Sequence, residues 1–143
     1  MESNNKRVLT KDDLHYLACN YIVKEYLIKK GYKIGTGFPR PVYPNIVCKK
    51  DDKEYGIVVI PSIYPNHEIM TDNFRLKVVE LCKQHGTIAL FAPVGLKSNN
   101  EENVSKQIIA TGDDMKIFFP GFVVLTDEPT QKLDVKNDEY IQL

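Results

Sequence analysis

The chain has 143 residues, of which 43% are apolar and 27% are charged. This length and composition are those of one globular domain with a sizeable core, and they exclude a disordered or low-complexity chain. The 19 basic and 19 acidic side chains cancel, so no net charge attracts the protein to nucleic acid or to a membrane surface.

Three cysteines, Cys19, Cys48 and Cys82, lie in separate apolar segments. None has a second cysteine or a histidine at the spacing of a metal site, so we interpret all three as buried thiols. An odd number of cysteines without a signal peptide is typical of a reducing compartment, and no apolar run reaches the roughly eighteen residues of a membrane span. We therefore expect a cytoplasmic protein with no membrane association, no metal and no cofactor.

The first half of the chain predicts a helix followed by a hairpin. Residues 1–9 are polar and are expected to be frayed. Thr10 caps a long amphipathic helix, which ends at Gly31 after two lysines in its last turn. A short strand follows at residues 32–34, and then the glycines and prolines of residues 35–44 predict an irregular connection.

The hairpin consists of two runs rich in β-branched residues, separated by the charged residues 50–53. Its second run, residues 57–60, has no alternation with polar residues, which indicates a central strand covered on both faces. Pro61 is expected to end this strand. A loop then leads to a second helix, which is capped by Thr71 or Asp72 and closed by Gly86.

The last third of the chain predicts a buried strand at residues 87–92 that is stopped by Pro93, and a short helix at about residues 101–110 that is ended by Gly112. Residues 116–119 and 122–126 supply further strands. Residues 127–143 carry five acidic residues against two lysines and are interpreted as an acidic tail. Val135, Tyr140 and Ile141 are its candidates for docking.

The order of these elements predicts an α/β fold. We expect a three-layer-like sandwich around a central mixed sheet of about four or five strands, because a hairpin is antiparallel whereas strands separated by a helix are usually parallel. Residues 1–126 are expected to form the single domain, followed by the tail.

A spaced set of residues links the first helix to the hairpin. In the helix the set is Cys19-Asn20, Val23, Tyr26-Leu27 and Gly31-Tyr32, and in the hairpin it is Pro44-Asn45-Ile46-Val47-Cys48 and Val58-Val59-Ile60. In spacing and apolar pattern, the stretch from Leu14 to Phe91 resembles the restriction-endonuclease-like superfamily, the PD-(D/E)xK nucleases. The resemblance implies the α-β-β-β-α-β core of that superfamily.

The resemblance also implies where a nuclease site would lie. The helix glutamate of the family falls on Asn20, the hairpin aspartate on Asn45, the second-strand glutamate on Val58 and the lysine on Ile60. Phosphodiester hydrolysis by such a site needs carboxylates that hold a divalent cation and a lysine that orients the attacking water. Amide and aliphatic side chains supply neither, so the resemblance implies a degenerate member of the superfamily without catalytic residues.

Two other groups of residues are candidates for function. His67, Glu68 and Asp72 follow the second hairpin strand and are candidates for relocated metal ligands, although a polar loop explains them equally well. Between residues 24 and 54, basic side chains outnumber acidic ones by eight to four. This excess predicts a basic rim, and the candidates for binding nucleic acid on it are Lys30, Lys33, Arg40, Lys49 and Lys50.

Three functions remain open on the sequence. The favoured one is a non-catalytic binding or interaction domain, whose partner is another protein or a second copy of the chain, contacted through surfaces such as residues 118–122 or the tail. The second is a nucleic-acid-binding module that uses the basic rim. The third is a metal-dependent nuclease with relocated ligands.

Overall fold

The computed structural model describes residues 7–37, 44–136 and 138–143. Three helices of this part of the chain are α1 (Lys11–Tyr21), α2 (Asp72–Gln84) and α3 (Glu101–Lys106). The strands are β1 (Lys33–Gly37), β2 (Ile46–Lys50), β3 (Lys53–Ile63), β4 (Ile88–Ser98), β5 (Met115–Phe118) and β6 (Val123–Val124).

The first helix begins and ends at the predicted residues. Thr10 Oγ1 accepts the backbone N–H of Asp13 at 3.1 Å, and the Asp13 carboxylate accepts the backbone N–H of Thr10 at 2.9 Å. This capping box satisfies N–H groups that have no partner inside the helix. Beyond α1 the helix continues as a π-helical segment (Ile22–Leu27) and a 3-10 turn (Ile28–Lys30). It ends at Gly31, whose left-handed φ of 87° is strained for any residue with a Cβ.

The six strands form one mixed sheet in the order β1-β2-β3-β4-β5, and β6 pairs with the outer side of β4. β2 and β3 form the predicted antiparallel hairpin, and β3 and β4, which α2 connects, are parallel as predicted. β4 and β5 are antiparallel although α3 lies between them in sequence. With only six residues, α3 spans roughly 9 Å and does not carry the chain back to the start of β4. The α/β fold with a mixed sheet is therefore confirmed.

Each face of the sheet has its own core. On one face, Leu14, Ala18 and Ile22 from the first helix pack on Ile57 and Val59 of β3, in what we call the α1-side core. On the other face, Val78, Val79 and Cys82 of α2 pack on Val58 and Phe91, in the α2-side core. Because successive side chains of a strand point to opposite faces, the apolar run at residues 57–60 of β3 contributes to both cores, as its sequence predicts.

Two strands run through prolines at which the sequence predicts an end. A proline has no backbone N–H to donate to a neighbouring strand. This is costly only where a carbonyl of that strand would otherwise accept the N–H. Pro61 lies beyond Ile57, the last residue of β3 that pairs with β2. On the outer side of β4, the Ala89 carbonyl accepts the backbone N–H of Leu125. Because the backbone polar groups of alternate residues in a strand point to the same side, those of Pro93 also point outwards. It falls between the parts of β4 that pair with β6 and with β5, so no ladder bond is lost.

Several other boundaries differ from the sequence predictions. β1 extends to Gly37, into the predicted irregular connection, most of which lies outside the described residues. α3 ends at Lys106 rather than near Gly112, because Gln107 is left-handed, with a φ of 56°. β6 contains two residues where residues 122–126 are expected to be strand.

Both described ends of the chain are tied to the domain. Residues 1–6 of the segment expected to be frayed lie outside the described residues, whereas Arg7 and Leu9 pair with the segment after α3, and the N–H of Leu9 donates to the Ile109 carbonyl at 2.8 Å. At the other end, Phe122 and Ile141 exchange two backbone hydrogen bonds of 3.0 and 2.8 Å. Tyr140 packs against the α2-side core. The acidic tail is therefore part of the packed structure.

Candidate functional site

Asn45 extends the β2–β3 ladder by one residue. Its backbone N–H donates to the Ile57 carbonyl at 2.9 Å, and its side-chain Oδ1 accepts the N–H of Val59 at 2.7 Å. The side chain is fully buried, with 0% exposure. A buried N–H without an acceptor is costly, so Asn45 has a structural role at the position where the resemblance places the hairpin aspartate.

The structure does not bring the four nuclease-like positions together. Asn20 is half-buried on α1, which covers one face of the sheet. Val58 and Ile60 pack in the α2-side core on the other face. The side chains of Val58 and Ile60 therefore point away from Asn20. The side chain of Asn45 is hydrogen-bonded to the backbone of β3.

The loop after β3 separates two clefts, to which His67 and Glu68 both contribute. The helix-side cleft has a volume of about 630 Å³ and lies between the start of α1 and the end of β3. Its polar lining comprises Lys11, His15, Ser62, Asn66, His67, Glu68 and Gln107. Asn66 Nδ2 donates to Gln107 Oε1 at 2.6 Å, and the N–H of Glu68 donates to Ser62 Oγ at 2.7 Å, so local hydrogen bonds hold the loop.

The proposed relocated ligands do not form a cluster. His67 and Glu68 line the clefts, whereas Asp72 lies in the first turn of α2, with Oδ1 at 3.6 Å from Arg75 Nη2. In the described ranges, no three histidine, cysteine, aspartate or glutamate side chains are grouped closely enough to hold a metal ion.

The second cleft, which we call the sheet-end cleft, has a volume of about 640 Å³ and is lined by the end of β3, the middle of β4 and the segment that follows β5. Its lining is mainly apolar and aromatic and includes Ile60, Tyr64, Phe91, Pro93, Gly95 and Phe118. A cleft of this size with this lining is typical of small-molecule sites.

The predicted basic rim is present in part. Lys50 Nζ donates to the Lys30 carbonyl at 2.8 Å, and Lys33 lies directly opposite Lys49 in the β1–β2 pair. Arg40, the fifth predicted residue, lies outside the described residues. On its other side Lys49 faces Glu54 of β3, which partly neutralises this end of the sheet.

The three cysteines are buried and free of disulfides. Burial raises the pKa of the Cys19 and Cys48 thiols to about 12, and it also raises the pKa of Cys82. Since the thiolate is the reactive form, none of these groups is a nucleophile at neutral pH.

The apolar segment at residues 118–122 is not the continuous exposed surface that the sequence suggests. Phe119 and Phe122 pack edge to face with Tyr26, at ring-centre distances of 5.4 Å, and Phe122 is fully buried. Phe118 remains 49% exposed and is the most exposed aromatic side chain of this segment, while Phe119 is half-buried and also lines a cleft.

Sequence reasoning missed a buried arginine. Arg75 is 1% exposed in α2, its Nη1 donates to the Thr126 carbonyl, and Lys83 of the same helix forms an ion pair with Asp127. These contacts fix the chain after β6 against α2. The helical pattern carries no signal for them, because an arginine among polar helix residues ordinarily faces water.

The class of protein defined by these observations is an α/β domain with a mixed sheet and two clefts beside the loop after β3. The profile of one family, described as Domain of unknown function (DUF8840), matches residues 12–125. The chain belongs to this family. No curated protein and no solved structure matches it. None of its described helices combines the length and the apolar character needed to cross a bilayer.

Proposed function

We propose that this domain acts by binding and does not hydrolyse phosphodiesters, on a nuclease-like fold whose site positions have become structural. The observation that carries the proposal is Asn45, whose buried amide accepts a backbone N–H of β3. An amide in that position contributes no charge to a divalent cation, which prefers carboxylate ligands. Val58, which is fully buried in the α2-side core, and Ile60, which packs against that core, support the same conclusion.

The surface around the loop after β3 supports a binding role. Ile69 is 83% exposed and Tyr64 is 48% exposed, and both lie beside the clefts, as does Phe118. Exposed apolar side chains that cluster at a concave surface are typical of interaction sites. The partner is a ligand, another protein or a second copy of the chain.

The experiment is a titration with Mn²⁺ followed by thermal unfolding, together with a nuclease assay on single- and double-stranded DNA. We expect no shift of Tm and no cleavage, since only a ligand that binds the native state raises Tm. A His67→Ala/Glu68→Ala variant is the matched control. A Tm increase that this variant abolishes would support the metal-dependent nuclease with relocated ligands and refute our proposal.

Nucleic-acid binding by the basic rim is the second candidate, because the Lys33–Lys49 pair and Lys50 concentrate positive charge beside Tyr32, over whose ring Lys50 Nζ lies at 5.2 Å. A gel shift at low salt tests it. Binding that weakens with added salt and is lost in a Lys33→Ala/Lys49→Ala variant would support it.

A further inference from the structure

Two lysines lie side by side in a shallow groove next to the sheet-end cleft, and one of them, Lys97, lies over Tyr64, which lines the cleft. Lys97 of β4 is directly opposite Lys116 of β5, and two residues away Gly95 is opposite Phe118. Opposite residues of an antiparallel pair share one face of the sheet, and so do alternate residues of each strand. Lys97, Lys116, Gly95 and Phe118 are therefore on the same face, which continues into the cleft.

This lysine pair forms no ion pair within the described residues. Like charges directly opposite each other destabilise a sheet. Neither lysine forms one of the ion pairs of the described chain, although Glu101 lines the same shallow groove. Lys97 Nζ lies instead over the ring of Tyr64, 4.5 Å from its centre. The Lys33–Lys49 pair differs, because Lys49 also faces Glu54.

The wall of the cleft that the sheet forms is apolar, whereas the loop after β3 contributes Ser62, Asn66, His67 and Glu68 on the other side. Phe91, Ile60 and Pro93 line its inner part, Phe118 and Tyr64 line its outer part, and no residue of α2 covers it. The backbone of β4 adds a further polar group, because its outward side has no strand partner at Pro93 and the carbonyl of this residue faces the gap between β5 and β6.

We propose that the sheet-end cleft binds a small amphipathic organic anion. The apolar or aromatic body of the ligand fills the cleft between Tyr64 and Phe118, and its carboxylate or sulfonate lies against Lys97 and Lys116. An anion in this position relieves the repulsion between the two ammonium groups, and the body removes apolar surface from water. A volume of about 640 Å³ is suited to a small molecule rather than to a folded partner. The assignment rests on the binding function proposed above and names its ligand.

The test uses two fluorescent probes with the same aromatic body. These are 8-anilinonaphthalene-1-sulfonate, which is an anion, and N-phenyl-1-naphthylamine, which is neutral. We expect the anion to bind with one-to-one stoichiometry and to be displaced by dodecanoate below its critical micelle concentration. In a Lys97→Ala/Lys116→Ala variant its Kd rises roughly tenfold, while the Kd of the neutral probe stays the same.

A Lys33→Ala/Lys49→Ala variant is the matched control, because it removes an equal charge from a cross-strand lysine pair at the other end of the sheet. We expect it to leave both probes unaffected. A Phe118→Ala variant weakens both probes, since it removes a wall of the cleft at a half-exposed position. Thermal unfolding of each variant verifies that it is folded.

Three results would overturn the assignment. The first is that neither the anionic probe nor dodecanoate binds. The second is that both lysine variants weaken the anion equally, which would indicate a general charge effect. The third is a dimer in light scattering that Phe118→Ala dissociates, which would make the cleft an interface between copies. A negative result here with no response to Mn²⁺ leaves the proposed binding function standing, whereas Mn²⁺-dependent cleavage refutes that function whatever the probes do.

Discussion

Replacing Asn45 by alanine tests whether this residue is structural. The substitution removes the Oδ1 acceptor and leaves the N–H of Val59 without its 2.7 Å partner in a fully buried position. Leaving a buried donor unsatisfied costs about 1–3 kcal/mol. For a domain of this size, with a urea m-value of about 2 kcal/mol/M, a loss of about 2 kcal/mol lowers the unfolding midpoint by roughly 1 M.

The assay is equilibrium unfolding in urea, with Asn73→Ala as the control. Asn73 is exposed on α2, and its replacement should change the free energy of unfolding by less than about 0.5 kcal/mol. Hydrogen exchange adds a local readout, since the amide of Val59 should lose protection in Asn45→Ala. Equal urea midpoints for the two variants, or an unchanged exchange rate at Val59, would refute the reasoning.

Three further predictions concern stability. Mainly through the hydrogen bond from Arg7, the pKa of Asp13 falls from 3.8 to about 2. This cap therefore stabilises the fold fully above the unfolded pKa and is lost as the pH falls towards about 2, a pH dependence that thermal melts should record and that Asp13→Asn should remove. Gly121→Ala should cost about 1–3 kcal/mol in urea unfolding, because φ is 135° and the new Cβ would lie 2.9 Å from the Ile141 carbonyl. Phe122→Ala should cost about 3–5 kcal/mol in the same assay, since this ring is fully buried; a cost below about 1 kcal/mol would contradict its place in the core.

At the nuclease-like positions, the sequence pattern predicts the strands but not the faces of the sheet on which the side chains lie. Spacing along the chain places Asn45, Val58 and Ile60 in a hairpin, and the hairpin forms as predicted. The pattern does not determine which face of the sheet the helix covers. In the structure, Val58 and Ile60 lie on the face of the sheet opposite α1. Residue spacing along the chain does not specify this face.

The sequence by itself determined the elements whose causes are local. Thr10 and Thr71 cap their helices, and the run of β3 that is apolar on both faces lies in the centre of the sheet. Both features are predictable because each depends on residues only a few positions apart in the chain. Only the tertiary structure decided that β4 runs through Pro93 and that Lys97 lies opposite Lys116. Both depend on where a distant strand ends and in which register it pairs, and the chain between the strands does not encode that register locally.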